Sequence, residues 1–474
     1  MRDHDRPLWS LSASELSAAY ANGLSPRDAV ESTLVHIGDV NPQLNAIVTP
    51  DETGARRSAD DSAKRWSSGR PASPLDGVPV TVKDNILVAG MRATWGSQLY
   101  SAYVPDRDET PVRRLREAGA VILGKTNVPE FTLHGFTDNL VFGTTGNPWD
   151  PTLTPGGSSG GAVASVASGM GAIALATDGG GSIRRPAAHT GLIGFKPSRN
   201  SVPRGDGFPA ILHNFQVIGP IARCVADIIL GMDVISGPGW TQSNSKAGLK
   251  QPRIVYAPSF NDAPVDPFIR DTVDKTIERA RSLGLDIETV SPFHLADPLA
   301  AIWPIISQTG VAWLLEQHGD WERKVSPAIA EMAAAGQKFT ARDYLNALDT
   351  IATLSQTFEH LFERYDFLMT PTTAAMPWPA KQSRPGIIDG QSVGPRGHAV
   401  FTPFANALGL PAISLPCPVD GDALPVGIQI IAAQDEDRAL LEFARAHEDR
   451  LFLHRWPPAF RSVRAAGGTS APLP

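Results

Sequence analysis

Two glycine-rich stretches could do chemistry: Gly156-Gly157-Ser158-Ser159-Gly160-Gly161 and Thr177-Asp178-Gly179-Gly180-Gly181-Ser182. Each presents a serine on a backbone stripped of side chains, so bare N–H groups can surround a substrate there. Acyl transfer needs that arrangement: a nucleophile beside donors that hold a developing oxyanion. One such stretch reads most simply as a flexible loop. Two, with Ser158 and Ser182 only 24 residues apart and a small-residue segment between them, read as one built site.

A serine needs a base. Gly156-Gly157-Ser158-Ser159-Gly160 formally matches the G-x-S-x-G nucleophile elbow, which requires an Asp and a His downstream. His398, His447 and His454 are available, but none has a supporting signal. Trp149-Asp150-Pro151 and Pro155 precede the motif where the elbow needs a strand. A neutral lysine is the other option. Lys83 ends the apolar run Val78-Pro79-Val80-Thr81-Val82, and a lysine entering from a buried strand loses hydration, which lowers its pKa. The demand is considerable. At an ordinary pKa of about 10.4 only roughly 0.04% is neutral at pH 7, and reaching about 7 takes roughly 4–5 kcal/mol. On composition alone, a lysine at a strand end is more often a solvated surface charge.

Other chemistries lack their residues. There is no H-E-x-x-H, no Cys/His cluster and no G-K-[ST], so no metal site, P-loop or cofactor is expected. The 474 residues carry a net charge of −7 without a basic block, which gives a nucleic-acid partner no electrostatic support. Two cysteines, Cys224 and Cys417, argue against a disulfide framework and fit a reducing compartment. The charged start Met1–Arg6 has no apolar stretch behind it, and no run reaches about 20 strongly apolar residues. A soluble, cytoplasmic protein without a membrane partner is expected.

The elements that must position these groups alternate between strand and helix. Ser12-Ala13-Ser14-Glu15 is a capping box, and Ser25-Pro26 opens a helix expected to close at Gly38. Strands are expected at 45–49, 78–82, 120–123, 172–176 and 192–196, with helices over 111–118 and 161–168. Residues 266–365 are helix-rich, with apolar spacing over 272–283, 295–316 and 342–362. Strands return at 367–369, 412–415 and 426–430, and a helix over 437–449 ends the fold. The fold class is therefore α/β: a large mixed twisted sheet with helices on both faces and a helix-rich insertion. A single domain is expected, with a catalytic core over 60–235, the helix-rich substrate-side region 266–365 and a frayed tail at 465–474.

The longest motifs are Gly156 to Ala162, Ala176-Thr177-Asp178-Gly179-Gly180-Gly181-Ser182-Ile183-Arg184-Arg185-Pro186-Ala187 and Gly191-Leu192-Ile193-Gly194-Phe195-Lys196-Pro197. Together they resemble the signature of the amidase signature family. Gly77 to Asn85, Gly124-Lys125-Thr126-Asn127 with Glu130, and Gly143 to Pro148 extend the likeness. So do Gly219-Pro220-Ile221-Ala222-Arg223 with Asp227, Asn406, Gly409-Leu410-Pro411-Ala412, and Leu424 to Gln429. It spans nearly the whole chain and is weakest over about 240–395. The resemblance implies a Ser–cis-Ser–Lys triad: Lys83 as base, Ser158 as bridge behind a cis peptide bond, and Ser182 as nucleophile. It implies an oxyanion hole from the N–H groups of Gly179, Gly180, Gly181 and Ser182. Ser159 and Asp178 would support these groups, and Arg184 would be structural. Gly179, Arg185, Phe195 and Ser198 depart from the residues common in the family, without removing a catalytic group.

The implied activity is hydrolysis of a linear carboxylic amide through a seryl acyl-enzyme, releasing ammonia or an amine. Hydrazides and esters would use the same machinery. The family also contains the glutaminase component of a tRNA-dependent amidotransferase. An aspartate is expected in that component where Ala399 stands here, so a free amino acid's ammonium would lack its counter-ion; a stand-alone hydrolase is favoured. A homodimer is left open. Trp95, Phe131, Phe136, Trp303, Trp313 and Trp378 are candidates to line the cleft, pointing to an apolar or aryl substrate group.

Overall fold

A computed structural model describes residues 6–236, 240, 251–260 and 262–461. The tail expected at 465–474 lies outside them. The strands are β1 (Ile47–Pro50), β2 (Pro79–Lys83), β3 (Val121–Thr126), β4 (Ile173–Asp178), β5 (Ile193–Lys196) and β6 (Val217–Ala222). They continue with β7 (Arg253–Tyr256), β8 (Asp286–Thr289), β9 (Phe367–Pro371), the short pair β10 (Ile387–Ile388) and β11 (Gln391–Ser392), β12 (Ala412–Pro416) and β13 (Gly427–Ala432). Eleven of them form one sheet in the order β1-β3-β2-β4-β6-β5-β12-β13-β9-β7-β8. The sheet is mixed. β2 runs parallel to β3 and β4, β7 runs parallel to β8 and β9, and the central pairs are antiparallel.

Most expected elements form close to their predicted bounds, because periodicity and end signals agree there. The capping box is complete: Ser12 accepts from Glu15 N–H, and the Glu15 side chain accepts from Ser12 N–H, opening the helix Ala13–Ala21. The helix opened by Pro26 does not stop at Gly38. It runs to Leu44, and Asn45 takes the left-handed terminating position at φ 50°. Gly38 is exposed and helical, and an exposed glycine costs only about 1 kcal/mol. The buried Leu34 and Leu44 keep the helix going on either side of it. The helix-rich region contains helices Pro267–Ser282, Leu299–Leu315, Pro327–Gly336 and Ala341–Arg364. It also supplies β8, whose pattern of one buried residue in four carries little sequence signal.

The helix Gly160–Ala167 is buried along its whole length. Its small side chains let it lie directly on the sheet. A Cβ on Gly161 would collide with the backbone of Asn127 and Ala46, so no larger residue fits.

One buried ion pair ties the middle of the sheet to the C-terminal strands. Arg184 and Asp178 are both fully buried, with Nη2 2.9 Å from Oδ1 and Nε 3.0 Å from Oδ2. Arg184 also donates to Thr402 O, to Gln429 Oε1 on β13 and to Asn406 Oδ1. Burial would raise the Asp178 pKa. The charge and hydrogen bonds of Arg184, with help from Asn406 and Lys196, outweigh it and hold the carboxylate ionised. Removing one partner of such a pair strands the other. Arg184→Met is therefore predicted to lower unfolding free energy by about 3–5 kcal/mol. Denaturant unfolding measures this, and an unchanged midpoint would show that the pair does not hold the fold.

Candidate functional site

β2 and β4 are parallel neighbours, with Thr81 opposite Ala174 and Val82 opposite Leu175. Their carboxyl ends therefore emerge together: Lys83 from β2, Thr177 and Asp178 from β4. Ligand sites in open α/β sheets form at that edge. The loop Gly156–Ser159 brings Ser158 and Ser159 to Lys83, and the Gly157–Ser158 peptide bond is cis. Ser159 N–H donates to Ser182 O at 3.2 Å, so the two glycine-rich loops are held against each other.

Lys83 is fully buried. Its Nζ lies 2.9 Å from Ser158 Oγ, 2.8 Å from Ser159 Oγ, 2.9 Å from Thr177 Oγ1 and 3.1 Å from Thr177 O. Burial lowers its pKa well below 10.5. Asp178 opposes the shift, while Arg204 and Arg185 add to it. No ion pair of Lys83 occurs among the described residues. The donor inventory limits how the neutral amine can be oriented. The Ser159 hydroxyl donates to Thr177 O at 3.3 Å and the Thr177 hydroxyl to Asn85 Oδ1 at 3.3 Å, so both oxygens accept from Nζ. A neutral amine has two N–H bonds and one lone pair. Nζ is within donating reach of Ser159 Oγ and of both the hydroxyl and carbonyl oxygens of Thr177, and the Ser158 hydroxyl at 2.9 Å is the contact through which a neutral amine could accept a proton. Ser158 can donate to Lys83 as it stands.

Ser182 is 7% exposed and follows the loop Gly179–Gly181. Its hydroxyl forms no hydrogen bond among the described residues, so the structure joins Lys83 to Ser158 but not Ser158 to Ser182. The N–H groups of Gly179, Gly180 and Ser182 have no protein partner there either. The role expected for Gly181 is corrected. Its N–H is already donated to Asp178 Oδ1 at 2.6 Å, so it shapes the loop and is not a free oxyanion donor. Gly181 sits at φ 108°, and a Cβ there would collide with Thr402. Asp178 accepts from Ile183 N–H as well. It thus folds the loop around itself while Arg184 balances its charge.

The aromatic candidates divide. Trp303 is brought to the site: its ring fills the space that a Cβ on Gly180 would take. Trp95, at φ 52°, stacks on Phe208 with centroids 4.7 Å apart and meets Phe131 edge-on at 5.2 Å. Phe136 lies beside the other loop, where its carbonyl oxygen is 2.6 Å from the Cβ position of Gly157. Trp378 packs edge-on to His189 at 5.7 Å. Trp313 is 49% exposed and is not a cleft residue; it sits on the outward side of its helix. Sequence reading missed Thr177 and Asn85 as partners of the lysine, although both lie within the quoted motifs. It also missed that Lys125 and Lys196 are fully buried. Their amines donate to Asp84 O at 2.9 Å and Pro197 O at 2.7 Å, and no serine hydroxyl is bonded to either.

Comparison with known proteins points the same way. A family model described as Amidase matches residues 28–441. An acylamidase of Rhodococcus erythropolis is 33% identical, over 94% of this chain and 96% of its own length. One component of the glutamyl-tRNA(Gln) amidotransferase of Carboxydothermus hydrogenoformans is 33% identical too, over 95% and 99%. A solved bacterial aryl acylamidase of the amidase signature family superposes with a TM-score of 0.85 at 28% identity, covering 98% of this chain and 100% of that one. With its mixed sheet, its paired glycine-rich loops and these similarities, the chain belongs to the amidase signature family.

Proposed function

We propose that the protein is a stand-alone hydrolase of a linear carboxylic amide, working through a seryl acyl-enzyme. The observation that carries this is the buried amine of Lys83, 2.9 Å from the Ser158 hydroxyl and in no ion pair among the described residues. In this reading Ser182 Oγ attacks the carbonyl carbon while its proton passes to Ser158 Oγ and the Ser158 proton passes to Lys83 Nζ. The oxyanion is held by the free N–H groups of Gly179, Gly180 and Ser182. The relay then returns the proton to the nitrogen as the C–N bond breaks, and ammonia or an amine leaves. Water enters by the same relay, cleaves the acyl ester and restores Ser182. The Ser158–Ser182 hydrogen bond is the link that substrate must complete, and catalytic hydrogen bonds in empty sites are commonly open.

An apolar or aryl substrate group is supported by the surroundings of the loop. A groove of about 600 Å³ is lined by Val202, Phe208, Ile211 and Leu212 together with Arg204 and Asp206. Leu212 packs on Gly179, and Phe208 carries the Trp95 stack. The stand-alone reading rests on Ala399. It is buried and offers no carboxylate to the ammonium of a free amino acid. The similarity to an amidotransferase component is equally high, so the purified chain decides between the two readings.

Incubated alone with a panel of aliphatic and aryl amides, the protein is predicted to release amine or ammonia. Release only from L-glutamine, and only with added partner subunits, would contradict the proposal. Ser182→Ala and Lys83→Ala are each predicted to lower kcat by about 10³-fold or more, measured by steady-state kinetics. Near-normal turnover of Lys83→Ala on an amide would remove it as the base. Lys83 must be neutral to accept a proton, so kcat/KM is predicted to rise with pH and then level off. Because burial lowers this pKa, the plateau is reached well below pH 10.5. A pH–rate profile still climbing at that pH would contradict the assignment.

A further inference from the structure

One ion pair stands between the base and the oxyanion loop, and the reaction above does not use it. Glu109 is clipped to the chain at Leu87, four residues beyond Lys83. Its N–H donates to Leu87 O at 3.0 Å, and Leu87 N–H donates to its Oε1 at 3.2 Å. Arg204 Nε and Nη2 reach its two carboxylate oxygens at 3.3 and 3.4 Å. Arg204 Nη1 also donates to Gln216 Oε1. The Gln216 Cβ lies 3.7 Å from the position a Cβ on Gly179 would take, so this residue packs on the oxyanion loop. Arg204 thus joins the lysine's segment to the loop that holds the oxyanion. The chain passes closely over the pair: a Cβ on Gly207 would fall 2.6 Å from Glu109 Oε1 and 2.9 Å from Arg204 Nη2.

The pair is also oriented. The charge of Arg204 acts on Lys83, whereas that of Glu109 acts on Lys125. The cation is turned toward the base and the carboxylate away from it. The Glu109 side chain is fully buried and that of Arg204 is 21% exposed, so water screens the pair only in part. Other charged groups surround Lys83. On β4, Asp178 favours an ammonium, with Arg184 bonded to it and Arg185 following on the helix Arg184–Thr190. On β3, Lys125 donates to Asp84 O, and the Asp84 carboxylate accepts from the N–H and hydroxyl of Thr94. The loop Gly156–Ser159 and the helix Gly160–Ala167 carry no charged residue. Arg184 is matched by the carboxylate that acts on Lys83, whereas the partner of Arg204 lies on the far side.

We propose that Arg204 is a positioning residue for amide hydrolysis: clamped between Glu109 and Gln216, its charge disfavours an ammonium at Lys83 and keeps the base able to accept the Ser158 proton. The inference rests on Lys83 acting as the base of the hydrolase described above, and it adds a residue outside the relay that prepares it. A fixed positive charge raises the free energy of a second one nearby, and a neutral amine escapes that cost. Arg204 needs no contact with substrate for this.

Profiles of kcat/KM against pH on one amide test this with the full-length protein. Arg204→Gln is predicted to move the acid limb up by about 1 pH unit, so that turnover on that limb falls about tenfold while the plateau is kept. The double variant Glu109→Gln/Arg204→Gln strands no carboxylate and is predicted to shift the same way. Arg204→Lys keeps the charge and is predicted to recover most of the parent midpoint. Glu109→Gln alone keeps the cation, and no upward shift is predicted for it. A merely structural role would lower turnover at every pH and leave the midpoint in place. An unmoved midpoint in both Arg204→Gln and the double variant, or an equal upward shift in Glu109→Gln, would overturn the proposal. Nitrogen-15 NMR of Lys83 Nζ gives a readout without turnover. A resonance that titrates low in the parent and moves up in Arg204→Gln is expected; one that stays in place would overturn the role of Arg204 alone. Failure of the parent to hydrolyse any amide would overturn the hydrolase reading instead, and a Lys83 that titrates in the ordinary lysine range would overturn both.

Discussion

The structure depends on keeping one amine uncharged inside a protein. Lys83 is fully buried with hydroxyls and a carbonyl around it and no carboxylate in contact. An ammonium there would need a counter-ion, and none pairs with it among the described residues, so the neutral form is favoured. The nearest acid that acts on it, Asp178, would tend to restore the proton. Arg204 and Arg185 oppose that field, and Arg184 is bonded to the same Asp178 carboxylate. The parallel pairing of β2 and β4 fixes the distance between the amine and the loop it serves.

The glycine loops follow from the same crowding. Asp178 gathers the loop by accepting the N–H groups of Gly181, Ile183 and Arg184, while those of Gly179, Gly180 and Ser182 have no protein partner among the described residues. Side chains are excluded on every side: Leu212 meets Gly179, Trp303 meets Gly180, and Thr402 meets Gly181. Trp303, which packs over Gly180 from the helix Leu299–Leu315, comes from the part of the chain where the family likeness is weakest. That segregation is physically sensible. The conserved-looking glycine loops sit at the sheet edge, and the helix-rich region packs over them.

Much of this was legible in the residues. A lysine at the end of Val78-Pro79-Val80-Thr81-Val82 and serines on glycine backbones are signals of type and spacing, and both fall where the sheet puts them. The helix ends marked by Ser12 and Pro26 follow from local capping. What escaped is set by contacts distant in sequence. Whether Gly181 N–H is free depends on where the Asp178 carboxylate turns, which a glycine run does not encode. Trp313 and Trp303 share one apolar helix, and only packing decides that Trp303 faces inward and Trp313 outward. The helix passing through Gly38 shows tertiary burial overriding a local stop signal. Arg204 lies far along the chain from Glu109, and no sequence period brings them together.

The central claim is that Lys83 is neutral at the pH where the protein works. Nitrogen-15 NMR of the lysine Nζ, assigned by comparison with a Lys83→Met variant, measures this directly. The account predicts one Nζ resonance, lost in that variant, that titrates well below 10.5. A Lys83 resonance that remains an ammonium up to the ordinary lysine range would contradict it.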